Sequence, residues 1–502
     1  MSEPEISANS TASAAAAIPP AGKPAGFSGL VKKVAAQSAI YTLGTALQNV
    51  GALLLIPVYW RFLEPSDFGV LAITGMVNNF LVIFLGLAVS ENVTRFYHEW
   101  PAAERRERLG SIWILDWSSS LVVGIPVALF GGYAAHALIN QVAWDPYIRV
   151  AVWAAIFSSF SSTPLAVLRI EERPKAFIFC TLSVFIIRTA LAIWFVVGRG
   201  SGCLGVLEAD LYSALAMLPV YFLILLRSAR FTCRVDQIKA AVRFSFPLVP
   251  AGLFDGLLLN ADRFVLEKFI PLGQLGLYNI GNSLSGALRG LYGPLKTTWV
   301  PFAIKTAIKT KDGRQTIARM ANLFVATVFL AALGLAMVGP DLIHLIGVQK
   351  YNAVADYIPL FVIPQALYGC ATLFAVGIGL AKKNHYSPVI AFIGAAASIV
   401  SLLALVPAYG INGAFIALVI GATVRLAAYL LIAQKFYAIP YNWLKLGGVL
   451  AGAFLAFGLS RLVRVESAGI SFFLHSSIYL CFVVITIWCL GAAKMLGESR
   501  PA

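Results

Sequence analysis

The chain has 502 residues, of which 59% are hydrophobic and 12% charged, with a formal net charge of +15. Ordinary soluble domains carry about 25% charged residues. A soluble chain with a mean hydropathy of +0.81 could not cover its own surface, so a water-soluble globular class is excluded and the bilayer must serve as the apolar solvent. The positive excess does not indicate a nucleic-acid binder, because no loop is long enough to fold as a basic soluble domain. It fits attraction to anionic lipid headgroups instead.

In chain order, Ala, Ser and Pro dominate from Met1 to Pro24, so residues 1–36 are expected to form a disordered cytoplasmic tail. No basic segment precedes an apolar one there, so the tail does not read as a signal peptide. A helix needs about 20 apolar residues to cross the hydrocarbon core. Such runs are expected near 38–58, 70–90, 110–130, 148–166, 177–197, 207–226, 244–262, 276–298, 317–338, 355–375, 388–406, 412–432, 445–460 and 471–491. The seventh, eighth and thirteenth have the weakest patterns.

Cytoplasmic flanks of transmembrane helices collect Lys and Arg. With the N-terminus inside and sides alternating at each span, 27 of the 38 basic residues fall inside and 8 outside. The remaining three, Arg188, Arg289 and Arg425, lie within spans. A missed or spurious helix would invert the bias downstream of it. The pattern therefore predicts an even number of spans with both termini cytoplasmic.

A shift of 207 residues aligns Arg61-Phe62-Leu63 with Lys268-Phe269-Ile270, Phe68-Gly69 with Leu275-Gly276, and Ile73 with Ile280. Six spans separate the copies, so a parallel repeat is expected. The expected fold is all-α and polytopic, with about fourteen transmembrane helices in two six-helix lobes plus a C-terminal helix pair. The boundaries are a tail at 1–36, an N-terminal lobe at 37–243, a C-terminal lobe at 244–444, the helix pair at 445–493 and a cytoplasmic tail at 494–502.

Enzymatic motifs are missing. There is no G-x-x-x-x-G-K-[ST] phosphate loop and no G-x-S-x-G nucleophile elbow. His98-Glu99 is followed by Ala102 where a zincin would place its second His. The cysteines have no C-x-x-C spacing and the histidines are scattered, so no metal site or cofactor is expected. The informative groups are charges inside spans, which cost about 2.5–3.5 kcal/mol each on insertion scales. Arg188, Arg289 and Arg425 are expected to line a cationic cavity, with Arg263 at its outer mouth. Arg suits an anionic headgroup because its donor fork matches phosphate oxygens and it stays charged. The competing reading pairs an arginine with Asp255, the deepest acid, as a tie between lobes. Asp255 and Glu91 are candidates for charge balance or proton coupling.

Two segments resemble a known family. One combines Ile56-Pro57, Arg61-Phe62-Leu63-Glu64-Pro65-Ser66-Asp67-Phe68-Gly69, Gly86-Leu87 and Glu91-Asn92-Val93-Thr94-Arg95-Phe96. The other is Asn260-Ala261-Asp262-Arg263-Phe264-Val265-Leu266 with Leu275-Gly276-Leu277-Tyr278. Both resemble Wzx-type lipid-linked oligosaccharide flippases of the multidrug/oligosaccharidyl-lipid/polysaccharide exporter superfamily. The span pattern is similar over roughly 30–490.

The resemblance implies a non-enzymatic protein of the bacterial inner membrane. It would move an undecaprenyl-pyrophosphate-linked oligosaccharide between leaflets by alternating access, coupled to an ion gradient, for O-antigen, capsule or exopolysaccharide assembly. A polysaccharide polymerase and co-polymerase are the implied protein partners. The rivals are a lipid II flippase, a multidrug antiporter and a membrane-embedded glycan polymerase or ligase. Deep arginines argue against cationic drugs as cargo, and the short outer loops argue against a polymerase.

Overall fold

The computed structural model describes residues 47, 48, 51, 55–246, 248–309, 312–381, 383, 385–462 and 467–490. The expected tails and most of the first expected span lie outside the described residues. Among the described residues all regular structure is helical. After a helical segment at 55–62 come α1 (Pro65–Leu85), α2 (Val89–Phe96), α3 (Arg105–Leu138), α4 (Arg149–Ser159), α5 (Ser162–Ile170), α6 (Pro174–Ile193), α7 (Gly202–Ser228) and α8 (Val235–Ser245). The C-terminal half follows as α9 (Leu248–Phe269), α10 (Leu272–Ser285), α11 (Ala287–Lys309), α12 (Gly313–Ile346), α13 (Asn352–Phe374), α14 (Val376–Leu380), α15 (Tyr386–Phe436), α16 (Trp443–Leu462) and α17 (Ala468–Leu490).

Ten of the described helical segments are long and apolar enough to cross a membrane, so the protein is a multi-pass membrane protein. One of them, α15, bends after Pro407 at Gly410 (φ 55°, ψ −130°) and covers two expected spans, 388–406 and 412–432. The weak expected spans at 244–262 and 276–298 are helical, as α9 and as α10 with α11, but are not among the ten. Their low hydropathy has a local cause: α9 alone carries Asp255, Asp262, Arg263, Glu267 and Lys268.

Lipid tails are as apolar as leucine, so helices in a bilayer are held by close packing and hydrogen bonds rather than by exclusion of water. The contact between the two halves follows this rule. Pro65 opens α1 with its φ preset for a helix, and the Asp67 carboxylate accepts a hydrogen bond from the Glu64 amide at 2.8 Å. Its equivalent under the 207-residue shift is Leu272, which opens α10. The two helices cross reciprocally. A Cβ at Gly69 would overlap the Leu272 carbonyl oxygen, and one at Gly276 would overlap the Pro65 carbonyl oxygen. Ile73, Leu275, Tyr278, Phe361 and Phe415 continue this seam as one buried cluster.

The first half has its own break. Helix α1 stops at Leu85, and Leu87 and Ala88 take positive φ (44° and 53°) before α2 restarts. Left-handed backbone costs L-residues energy and persists only where surrounding contacts hold it. Here the Ser119 and Ser120 hydroxyls both donate to the Leu85 carbonyl, at 2.8 and 3.2 Å.

Candidate functional site

Each half contains a polar cavity, and a third, apolar groove lies beside the second. The N-terminal cavity, of about 430 Å³, is enclosed by α1, α4, α6 and α7. Arg188 of α6 projects into it and forms an ion pair with Asp210 of α7, with Nη2 donating to Oδ2 at 3.2 Å. Asn78, Ser158, Ser161 and Ser213 supply further polar lining. Arg188 and Asp210 keep 50% and 33% of their side chains exposed, so both charged groups open onto the cavity.

The C-terminal cavity, of about 250 Å³, is lined by Arg289 of α11, Arg425 of α15, Asp262 of α9, and Tyr292, Gln365 and Tyr368. The Arg425 guanidinium lies 5.5 Å from the Tyr368 ring centroid and 5.9 Å from that of Tyr429. Its Nε is buried without a hydrogen-bond partner. A Cβ at Gly286 would come 2.7 Å from Arg289 Nη2, so glycine there makes room for that guanidinium. Asp262 accepts a hydrogen bond from the buried Tyr278 hydroxyl at 2.8 Å and lies 3.9 Å from Arg263, so the two lining arginines outnumber the one lining acid. Arginine forks of this kind suit phosphate oxygens.

The structure therefore does not gather the expected site residues into one cluster. Arg289 and Arg425 share a cavity, Arg188 occupies the other, and Arg263 lies in the seam. Arg263 Nε donates to Asn279 Oδ1 at 2.9 Å and its Nη1 to Asn260 Oδ1 at 3.3 Å. Asn260 Oδ1 also accepts from Asn79 of α1 at 3.4 Å, so this network joins the halves. Glu91 is exposed on α2. Asp255 lies on α9, and its side chain is outside the described residues. The acid that pairs with Arg188 is Asp210.

The seam is closed at the helix ends that the basic-residue pattern assigns to the outer face. Glu267 of α9 is 2% exposed, and its Oε1 accepts the backbone N–H groups of Asn140 and Gln141, beyond α3, at 2.6 and 2.7 Å. Lys350 pairs with Glu64 at 2.9 Å, and the Tyr351 hydroxyl donates to the Leu63 carbonyl at 2.8 Å. Sequence reasoning does not single out Glu267. Its one signal is a carboxylate followed by Lys268 at the end of a weakly apolar helix.

The apolar groove, of about 680 Å³, runs between α12, α13, α15 and α16. Phe329, Leu360, Leu367, Leu430, Leu450 and Phe454 line it, and its only charged lining residues are Asp356 and Arg461. Two of its walls are shared with the C-terminal cavity. On α13, Leu367 faces the groove while Tyr368 faces the cavity; on α15, Leu426 faces the groove while Arg425 faces the cavity.

The fold is similar to that of solved multi-pass transporters, among them members of the MOP superfamily. The lipid II flippase MurJ in an inward closed conformation superposes with a TM-score of 0.70 at 13% identity, covering 90% of this chain and 99% of that one. An inward-facing multidrug resistance MATE transporter gives a TM-score of 0.58 at 14% identity, covering 79% and 94%. A variant of the Vibrio cholerae MATE transporter VcmN gives 0.56 at 15% identity, covering 81% and 97%. No curated protein sequence matches the chain significantly. The sequence profile described as "Polysaccharide biosynthesis protein" matches residues 58–356, and the chain belongs to that family.

Proposed function

We propose that the protein flips an undecaprenyl-pyrophosphate-linked oligosaccharide from the cytoplasmic to the outer leaflet of the bacterial inner membrane, for O-antigen, capsule or exopolysaccharide assembly. The observation that carries this reading is the shared wall. An arginine- and tyrosine-lined cavity and a long apolar groove are separated only by α13 and α15. A cargo with an anionic, sugar-bearing head and an isoprenoid tail needs both surfaces side by side. Arg289 and Arg425 contact the pyrophosphate, Arg188 meets the glycan in the opposite cavity, and Arg263 holds the seam at the outer mouth. Sugars stack on aromatic faces while their hydroxyls take polar partners, which Tyr292, Tyr368 and Gln365 provide.

The halves 37–243 and 244–444 act as rocking lobes in this scheme, and the first helix of the pair 445–493 completes the groove. Both termini lie in the cytoplasm, and Asp255 and Glu91 are candidates for balancing charge during the cycle. A polymerase and co-polymerase receive the product. A second reading, lipid II as cargo, is favoured by the extent of the superposition on MurJ. It differs in consequence, because loss of a sole lipid II flippase lyses the cell.

The test is complementation of a flippase-null strain. Arg188→Ala and Arg289→Ala are each expected to abolish surface polysaccharide while the protein remains folded in the membrane. Full complementation by both would remove the site assignment.

A further inference from the structure

A carboxyl group outside both arginine cavities is buried with one oxygen unpartnered. Asp116 of α3 is completely buried. Its Oδ2 accepts hydrogen bonds from the Ser162 and Thr163 hydroxyls at 2.7 and 2.6 Å. Its Oδ1 is buried with no hydrogen-bond partner and faces Gly86, where a Cβ would lie 3.4 Å away. The groups meeting it are neutral on every side: Leu85 and Gly86 from the end of α1, Ser119 and Ser120 from its own helix, and Ser162 and Thr163 from α5. Among the described residues no basic side chain pairs with it. Ionised carboxylates are not left in such surroundings without a charged partner, because removing the charge from water costs more than two hydroxyls and the Thr163 backbone N–H return. Ionisable groups within membrane spans that lack a structural partner mark ion and proton pathways.

We infer that Asp116 carries the proton that drives transport, binding it on Oδ1 when the site is closed and releasing it when the Gly86–Ala88 junction moves away. A proton is the ligand the geometry favours, because the neighbouring hydroxyls already donate to Oδ2 and to the Leu85 carbonyl, and Oδ1 has no exposed surface for a larger ion to meet. The route to the site is the serine turn between α4 and α5. Ser158 and Ser161 line the N-terminal cavity, while Ser159 and Ser162, on the other face of the turn, donate to Ser120 and Asp116 at 2.9 and 2.7 Å. Arg188 and Asp210 lie on the far side of that turn. The junction supplies the moving part: Leu87 and Ala88 take left-handed backbone directly after Leu85, whose carbonyl the serines beside the carboxyl hold. Water reaching Oδ1 there would let the proton leave as hydronium and the carboxylate remain solvated.

This inference rests on the reading of the protein as a gradient-driven transporter, but its first test needs no cargo. Infrared difference spectra of the purified full-length protein in lipid nanodiscs, recorded across a pH titration, are expected to show the carbonyl stretch of a buried protonated carboxyl. Asp116→Asn, which keeps the shape, is expected to lose that band, and Asp145→Asn at the exposed pair with Arg149 to retain it. In the otherwise native protein, Thr163→Val and Ser162→Ala are expected to shift its frequency. In proteoliposomes, an imposed pH gradient is expected to accelerate flipping by the native protein and to leave Asp116→Asn unaffected. The inference is overturned by a band that persists in Asp116→Asn, by one that neither hydroxyl variant shifts, or by one that sodium abolishes at fixed pH. A native band with no flipping of oligosaccharide would overturn the cargo reading and leave the proton site standing.

Discussion

Replacing Glu267 with alanine removes the carboxylate part of the clasp between the halves at their closed end and leaves the Gln141 side chain on the backbone carbonyl of Ile270 at 2.8 Å. In the native protein its Oε1 takes two backbone N–H groups across the seam, at 2.6 and 2.7 Å. Each of the two bonds contributes about 0.5–1.5 kcal/mol. The buried Oε2 has no partner, and an orphaned polar atom subtracts about 1–3 kcal/mol. The two bonds together favour closure and the orphan offsets part of that, leaving roughly 1 kcal/mol, equivalent to about a fivefold change in the ratio of closed to open molecules. Spin labels at the exposed residues His136 and Gln274, one on each half, read this ratio by pulsed dipolar distance measurement. The native protein is expected to give one short distance, and Glu267→Ala a second, longer component. Identical distance distributions would refute the assignment of Glu267 as a clasp.

Three further outcomes are expected. Gly276→Leu places a side chain against the Pro65 carbonyl and Gly69 amide, so it forces α1 and α10 apart and shifts the same label pair to the longer distance without added cargo. Arg425→Lys keeps the charge but loses the planar fork and the ring contacts with Tyr368 and Tyr429; complementation is expected to fail by at least about tenfold in surface polysaccharide, with normal membrane levels by immunoblot. Leu450→Trp fills part of the apolar groove, and flipping of a long-chain isoprenoid carrier is expected to fall several-fold while a short-chain analogue is spared.

The helices are legible in the sequence because lipid imposes a simple rule on every residue that faces it. The same rule explains the weak stretches. Helices α9 to α11 carry the seam and the second cavity, so Asp262, Arg263 and Glu267 replace the lipid-facing leucines that would have marked a span. The arginines stand out by depth alone, and depth gives no partner. Arg188 and Asp210 meet because consecutive antiparallel helices bring residues 22 apart to one level, a relation hydropathy does not carry; depth points to Asp255 instead. In hydropathy Asp116 sits near a span end. In the structure α3 begins at Arg105, which places Asp116 about three turns inside the helix. The reciprocal contact of Gly69 and Gly276 is present as an aligned pair under the 207-residue shift, but its role as a backbone crossing requires coordinates.

Passage of an anionic, lipid-linked glycan through this protein is tested most directly in proteoliposomes. The substrate is a fluorescent undecaprenyl-pyrophosphate-linked oligosaccharide, read by the fraction that an impermeant quencher can no longer reach. The purified protein is expected to move the label between leaflets, and Arg289→Ala and Arg425→Ala to reduce the rate to that of empty vesicles. Equal rates for the native protein, both variants and empty vesicles would contradict this function.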